Sequence, residues 1–376
     1  MSYESVDKLQ NLLANEVFSY TSDKKKAAGR ALGTFLEIIT YYLIKVWKLD
    51  HFAAIEKPLP EFANTEITHN VEFTLHGSRR IAEKEISENE FPISSRSILR
   101  TLGLGKEIKG GKPSMLVDKM NVIRNACTLI SSPETFVNAY VDSLNNRYFV
   151  QRLFSRPFAM FECKRVGVEE GSKKGPQTIE KAKQGSYVAR TVSALQRIRR
   201  ADGSLAGFLQ QSETDFIISD YYSLLSRIIH STDKALLRNF ILTVGVVSNH
   251  GNWFTSSNPN KELKILAQSY DWLIFLTDKG ISEFITELLL SPSEEYAAVK
   301  EAFKKSYSRD KKENVFTKVR MTYECDKALC SYFVKKRKTI EGWFNVISPK
   351  DQTLDELKTE LSILAAKEWE DVYGTL

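Results

Sequence analysis

Two stretches of the chain, NFILTVGVVSN (239–249) and DWLIFLTD (271–278), are apolar almost without interruption. A strand with apolar side chains on both faces needs cover on both, so these runs read as buried strands inside a sheet flanked by helices. KELKILAQSY (261–270), between them, has helical spacing, and strand, helix, strand in succession is the signature of an α/β layer architecture. Upstream, RYFVQRLF (147–154) and FAMFECKR (158–165) flank Ser155, Arg156 and Pro157, a spacing that predicts an antiparallel hairpin. With 376 residues, 42% of them hydrophobic, the chain can bury one elaborated core. The fold class expected is α/β: a mixed-sheet core flanked by helices, with a helical C-terminal annex.

The rest of the chain is organised around that core. Residues 24–48 predict a long helix, and the two prolines of KPLPEFANT (57–65) end the helical stretch. EITHNVEFTLHG (66–77) alternates as a strand does, and 80–115 is polar and irregular. MLVDKMNVIRNACTLI (115–130) is expected to be a helix. A second helix is expected from SSPETFVNAY (131–140), where Ser131 and Glu134 have capping-box spacing and Pro133 suits a first turn. Pro176 opens a helix expected to run to about Arg200, and residues from about 281 onward are mainly helical in pattern. This gives a helical or irregular N-terminal region at 1–115 that packs on the core, a core at 116–280 and a mainly helical region at 281–376, the first a candidate for DNA binding and the last for DNA binding or dimerisation.

Several function classes are excluded. The four cysteines have no paired C-x-x-C spacing, and the five histidines show neither H-E-x-x-H nor any other paired metal spacing. GLGKEIKGGKPS (103–114) fails the phosphate-loop pattern, because Gly111, Lys112 and Pro113 follow Gly110. LGTFLEIITYYLIKVW (32–47) contains Glu37 and Lys45 and reads as a core helix rather than a membrane span. The opening MSYESVDKLQNLL has no secretory pattern, so a cytoplasmic protein is expected, with no membrane partner.

The net charge of +6 conceals opposed blocks. Residues 151–200 hold 12 Lys and Arg against 4 Asp and Glu, residues 301–340 hold 12 against 5, and residues 351–376 hold 2 against 7. A surface fed by the two basic blocks suits a polyphosphate partner. The runs QRIRR (196–200) and VKKRK (334–338) belong to these blocks.

The basic block beginning at 151 contains the most specific chemistry. Alternation along FAMFECKR puts Glu162 and Lys164 on one face and Cys163 on the other. A carboxylate and an ammonium at the end of an apolar strand must pair or hold something else, because burying either alone is costly. A Gly- and Lys-rich loop with Lys173 and Lys174 follows. Next comes a helix whose Gln177, Lys181 and Gln184 share a face, opposite an apolar stripe of Ile179, Ala182, Val192 and Leu195.

FECKR followed by QTIEKAKQGSYVA resembles the PD-(D/E)XK nuclease core in its E-x-K form, and within that superfamily it most resembles type II restriction endonucleases. The resemblance spans roughly residues 133–280. It implies a restriction-endonuclease-like fold, Mg²⁺ as cofactor, and sequence-specific hydrolysis of double-stranded DNA by a homodimer. Glu162 is then a metal ligand, Lys164 stabilises the attacking water or the phosphate, and the backbone carbonyl of Cys163 is a further ligand. The family also needs an upstream acid, and no Pro-Asp pair stands in the expected place. Asp142 is taken as that second ligand, Glu134 is the alternative, and Glu37 is an additional acidic candidate. Lys173, Lys174, Gln177, Lys181 and Gln184 are expected DNA contacts. The competing readings are a repair or recombination nuclease that recognises DNA structure, and a non-catalytic nucleic-acid-binding protein in which the E-x-K pair is only an ion pair.

Overall fold

The structure, a computed structural model, describes residues 6–87, 90–103, 114–167, 176–250, 261–306 and 319–374; at 167, 176–182, 250 and 261 only the backbone is described. A long helix, α1 (Lys24–Val46), precedes a mixed sheet of eight strands. These are β1 (Ala53–Ile55), β2 (Phe73–Glu85), β3 (Cys127–Ser131), β4 (Thr135–Asp142), β5 (Arg147–Gly167), β6 (Leu242–His250), β7 (Trp272–Leu276) and β8 (Phe344–Ser348). Their order is β1-β2-β5-β6-β7-β8, with the β3-β4 hairpin attached to β5. β5, β6 and β7 run parallel and β2 and β8 antiparallel to their neighbours. The mixed α/β class expected from the apolar runs is therefore present. Helices α2 (Pro176–Thr191) and α3 (Lys261–Ala267) complete the elements that matter for the site.

Side-chain alternation on the parallel strands explains the layering. Phe161, Cys163, Val244, Val246, Ile274 and Leu276 face α1 and the C-terminal helices in the main core. Met160, Val247, Leu273 and Phe275 face the other way, against Val188 and Ala189 of α2 and Leu263 and Leu266 of α3. β6 and β7 are covered on both sides where they pair, which is why Leu242–Val247 and Trp272–Leu276 are almost wholly apolar.

The order of elements departs from expectation in four places. Residues 115–130 form no helix: Met115–Val117 and β3 are strands separated by a turn. TFVNAYVD, expected in a helix, is strand β4, and Ser132 and Pro133 lie in the turn before it. Its alternating Val137, Ala139 and Val141, with Phe136 on the other face, find partners along β5, and that pairing overrides the capping-box spacing. RYFVQRLF and FAMFECKR are not a hairpin. They are one 21-residue strand, β5, and the irregularity near Pro157 is absorbed by register shifts against β2. Finally, α2 stops at Thr191, and Leu195–Arg199 begins a separate three-stranded sheet with Leu205–Gln210 and Phe216–Asp220.

The divisions expected near 115 and 280 do not separate cores. One hydrophobic cluster extends from Val6 to Val372, and the C-terminal helical region supplies β8 to the sheet edge. The N-terminal half of β5, with β2, β3 and β4, builds a smaller satellite core that includes Ile98, Leu116, Val117, Val137 and Val150.

Candidate active site

Glu162 and Lys164 lie on the α2/α3 face of β5, where the apolar layer gives way to an open cleft of about 550 Å³. Lys164 Nζ is 2.6 Å from Glu162 Oε1; the Glu162 side chain is 5% exposed and that of Lys164 33%, so the carboxylate is interior and the ammonium borders solvent. The cleft is walled on one side by Thr68, His69 and Asn70 and on the other by Lys183, Gln184, Gly185, Tyr187 and Val188. Thr68–Asn70 belongs to a short hairpin with Pro58–Pro60, and Lys183–Val188 is the last part of α2. Glu61 accepts a hydrogen bond from the Tyr187 hydroxyl and lies 4.0 Å from His69 Nε2, tying the two walls together.

A second acid stands at the site, and it is none of those expected. Phe73 pairs with Phe161 across the β2–β5 ladder, which brings the preceding residue, Glu72, beside Glu162. Glu72 Oε2 accepts a hydrogen bond of 3.0 Å from the backbone N–H of Cys163. Burial first, and then the neighbouring Glu72 carboxylate, push the Glu162 carboxyl well above the usual range, against the opposing pull of Lys164. Burial works against the Lys164 charge, but Glu162 and Glu72 outweigh it and hold its pKa above the ordinary value. Two carboxylates thus share one cationic side chain, and among the described residues no donor reaches Glu162 Oε2. Such a site lacks positive charge.

The other expected site residues fall into four groups. Gln184 lines the cleft, with Lys183 beside it, a residue the sequence reading did not single out. Lys173 and Lys174 lie outside the described residues, and for Gln177 and Lys181 only their backbone positions on α2 are described. Cys163 points away, as alternation requires. Its thiol is buried against Thr40 Oγ1 at 3.6 Å, and burial raises its pKa well above the thiol range, so it takes no part as a thiolate. Glu37 is on α1, on that same far side of the sheet; its charge bears on the Cys163 thiol, but it does not line the cleft.

Asp142 and Glu134 are corrected by the structure. Asp142 pairs with Arg147, at the opposite end of β5 from Glu162, and its carboxylate accepts from the backbone N–H and the side-chain amide of Asn145. It lines a different cavity, of about 160 Å³, with Asp50 and Arg80. Glu134 is exposed in the β3–β4 turn. The resemblance asks for an acid before the expected hairpin, and both residues precede it in sequence. With β5 running unbroken from Arg147, twenty residues of separation become most of a strand's length.

Nor do the two arginine- and lysine-rich runs form an open basic face. Lys335, Lys336 and Arg337 of VKKRK are paired with Glu295, Glu287 and Glu341. In QRIRR, Arg197 turns inward to the carbonyls of Ala267 and Tyr270, leaving Arg199 and Arg200 exposed.

The arrangement can be tested for fit to a divalent cation. Among the described residues no three His, Cys, Asp or Glu side chains gather as a ready-made metal cage. Mg²⁺ does not need one, since it keeps several waters and takes one or two carboxylates together with substrate phosphates. Glu72 and Glu162, adjacent and short of positive charge, fit that requirement. Among the described residues no helix is long and apolar enough to cross a membrane. Comparison of the chain with family models, characterised proteins and solved structures gives no match.

Proposed function

We propose that the chain is a Mg²⁺-dependent endodeoxyribonuclease that hydrolyses phosphodiester bonds in double-stranded DNA, in the manner of type II restriction endonucleases. The observation that carries this reading is the approach of Glu72 to Glu162, whose ion pair with Lys164 lines an open cleft. Glu72 and Glu162 hold the cation, with the Cys163 carbonyl as a further oxygen donor. When bound, the cation supplies Lewis-acid stabilisation of the phosphate and lowers the pKa of a water.

The chain's own residues do the rest. Lys164, kept as an ammonium by the two carboxylates, stabilises charge growing on the phosphate oxygens and does not serve as a base in this state. Lys183 and Gln184 border the path a phosphate backbone takes into the cleft, where lysine contacts position the strand without reading its sequence. Thr68, His69 and Asn70 form the facing wall. A homodimer in the cytoplasm, with two such sites related by a two-fold axis, cuts both strands of a palindrome.

The test is incubation of the purified protein with supercoiled plasmid, with and without Mg²⁺. Discrete fragments that require Mg²⁺ and vanish in Glu72→Gln support the reading. Cleavage confined to junctions or flaps would replace it with a structure-selective repair nuclease. No cleavage of any substrate with retained DNA binding would leave a non-catalytic binding protein.

A further inference from the structure

Beneath the Glu162–Lys164 pair lies a side chain that the proposed chemistry does not use. Tyr270 is 1% exposed, and among the described residues its hydroxyl has no hydrogen-bond partner. A buried phenol without a partner is costly, and tyrosine is normally placed so that its hydroxyl is satisfied.

Two glycines from different elements make room for this ring. Gly245 of β6, which pairs with Glu162 in the ladder, lies against its flat side: a Cβ there would meet Tyr270 Cδ2 at 2.7 Å and Cγ at 2.9 Å. Gly185 of α2 lies over its tip: a Cβ there would stand 2.8 Å from the Tyr270 hydroxyl, 3.6 Å from Lys164 Cε and 3.8 Å from Glu162 Cγ. The hydroxyl, the lysine stem and the carboxylate stem thus surround one point beneath α2. The backbone that carries the ring is held as well. Arg197 donates a 2.9 Å hydrogen bond to the Tyr270 carbonyl, and Ser269 Oγ lies 2.6 Å from Ser186 Oγ of α2.

The two unsatisfied atoms are complementary. Among the described residues Glu162 Oε2 lacks a donor and the Tyr270 hydroxyl lacks an acceptor, and the Glu162 stem and the Tyr270 hydroxyl border that same point. A tyrosine phenol is protonated at neutral pH, so the hydroxyl is available as a donor. Buried polar groups left unsatisfied by the protein are what a buried water bridges.

We propose that Tyr270 is a positioning residue of this site: its hydroxyl and Glu162 Oε2 hold one water between them beneath Gly185, and that water fixes the orientation in which Glu162 faces Glu72. The proposal rests on the reading of Glu72 and Glu162 as the cation-holding pair. Partners of this kind, which orient a ligand without touching the metal, typically change metal affinity by about 10- to 100-fold when removed.

The experiment has two arms on the full chain. A crystal structure of the metal-free protein is expected to show a water within hydrogen-bonding distance of both Tyr270 Oη and Glu162 Oε2; no water there, or one touching only one of them, overturns the proposal. In the second arm Mn²⁺ binding without DNA is followed by the loss of its free-ion electron paramagnetic resonance signal. Tyr270→Phe, which keeps the ring between the two glycines, is expected to bind Mn²⁺ about tenfold more weakly or worse at an unchanged melting temperature. Gly185→Ala is expected to lose affinity and stability together, and the Gly185→Ala/Tyr270→Phe double variant to regain the stability but not the affinity. Wild-type affinity in Tyr270→Phe overturns the proposal. If the wild-type chain binds no Mn²⁺ while the bridging water is present, the cation-holding reading of the two glutamates fails and the placement of Tyr270 stands.

Discussion

Among the described residues two buried acids, Asp326 and Glu162, each meet a lysine, and they differ in what else reaches the carboxylate. At Asp326, Lys45 Nζ lies 3.1 Å from Oδ1, the Tyr42 hydroxyl donates to the same oxygen at 2.5 Å, and the Ser143 hydroxyl donates to Oδ2 at 2.5 Å. Each oxygen has a donor, and the group fastens α1 to the helix Tyr323–Lys335 and to the end of the β4–β5 hairpin. At Glu162 the lysine contact is shorter, yet one oxygen has no donor among the described residues and the next acid, Glu72, adds negative charge. The first arrangement is a closed structural tie. The second sets two acids against one lysine, and on that imbalance the proposed cation site rests.

Removing the acid from each pair breaks the comparison most sharply. Asp326→Ala leaves Lys45 charged in the interior and strips Tyr42 and Ser143 of their acceptor, so urea unfolding is expected to show a loss of about 3–5 kcal/mol. Glu162→Gln removes an excess charge and is expected to leave stability unchanged or raised. Equal losses in the two variants would mean that Glu162 is a structural anchor like Asp326. Catalysis reverses the order. Lys164→Ala is expected to lower the plasmid cleavage rate by about 10²–10³-fold, far more than the folded fraction lost by leaving Glu162 and Glu72 without their lysine, whereas Lys45→Ala should reduce activity only as far as it reduces the folded fraction.

A smaller effect of Glu162 is read by pH. The Glu162 carboxyl is raised above the ordinary glutamate value of 4.5, so the folded chain binds a proton there that the unfolded chain has released. Stability is fully expressed below 4.5 and falls as pH rises from that value through the higher folded value, because above the window folding must bury the charge. Glu162→Gln is expected to flatten this slope, and Mg²⁺ to offset it at neutral pH in the wild type. A slope that persists in Glu162→Gln would assign the proton to another group.

What the sequence conveyed follows the range of the interactions involved. The buried strands β6 and β7, the helix α1 and the alternation that separates Glu162 and Lys164 from Cys163 are local patterns, and all were legible. β4 was not, because TFVNAYVD has its spacing satisfied only by partners on β5. Glu72 was hidden for the same reason on a larger scale. It sits at the start of a strand correctly expected within EITHNVEFTLHG, but its place opposite Glu162 depends on the register between segments far apart in the chain. A carboxylate just before an apolar strand was the available signal, and nothing local distinguished it from Asp142. Tyr270 carried even less, since its role is visible only once Gly185 and Gly245 are seen on either side of it.

The smallest expected effect is the one that decides between the sequence's choice of acid and the structure's. Asp142→Asn retains a side-chain oxygen to accept from the Asn145 backbone N–H, so its cost is limited to weakening one charge-assisted turn, about 0.5–1 kcal/mol. Because Asp142 lies at the far end of β5, no change in the Mg²⁺ dependence or rate of cleavage is expected. Glu72→Gln, an equally small chemical change, is expected to abolish the metal response. A cleavage assay in which Asp142→Asn is inactive and Glu72→Gln is not would move the catalytic centre to the opposite end of the strand, into the cavity that Asp142 shares with Asp50.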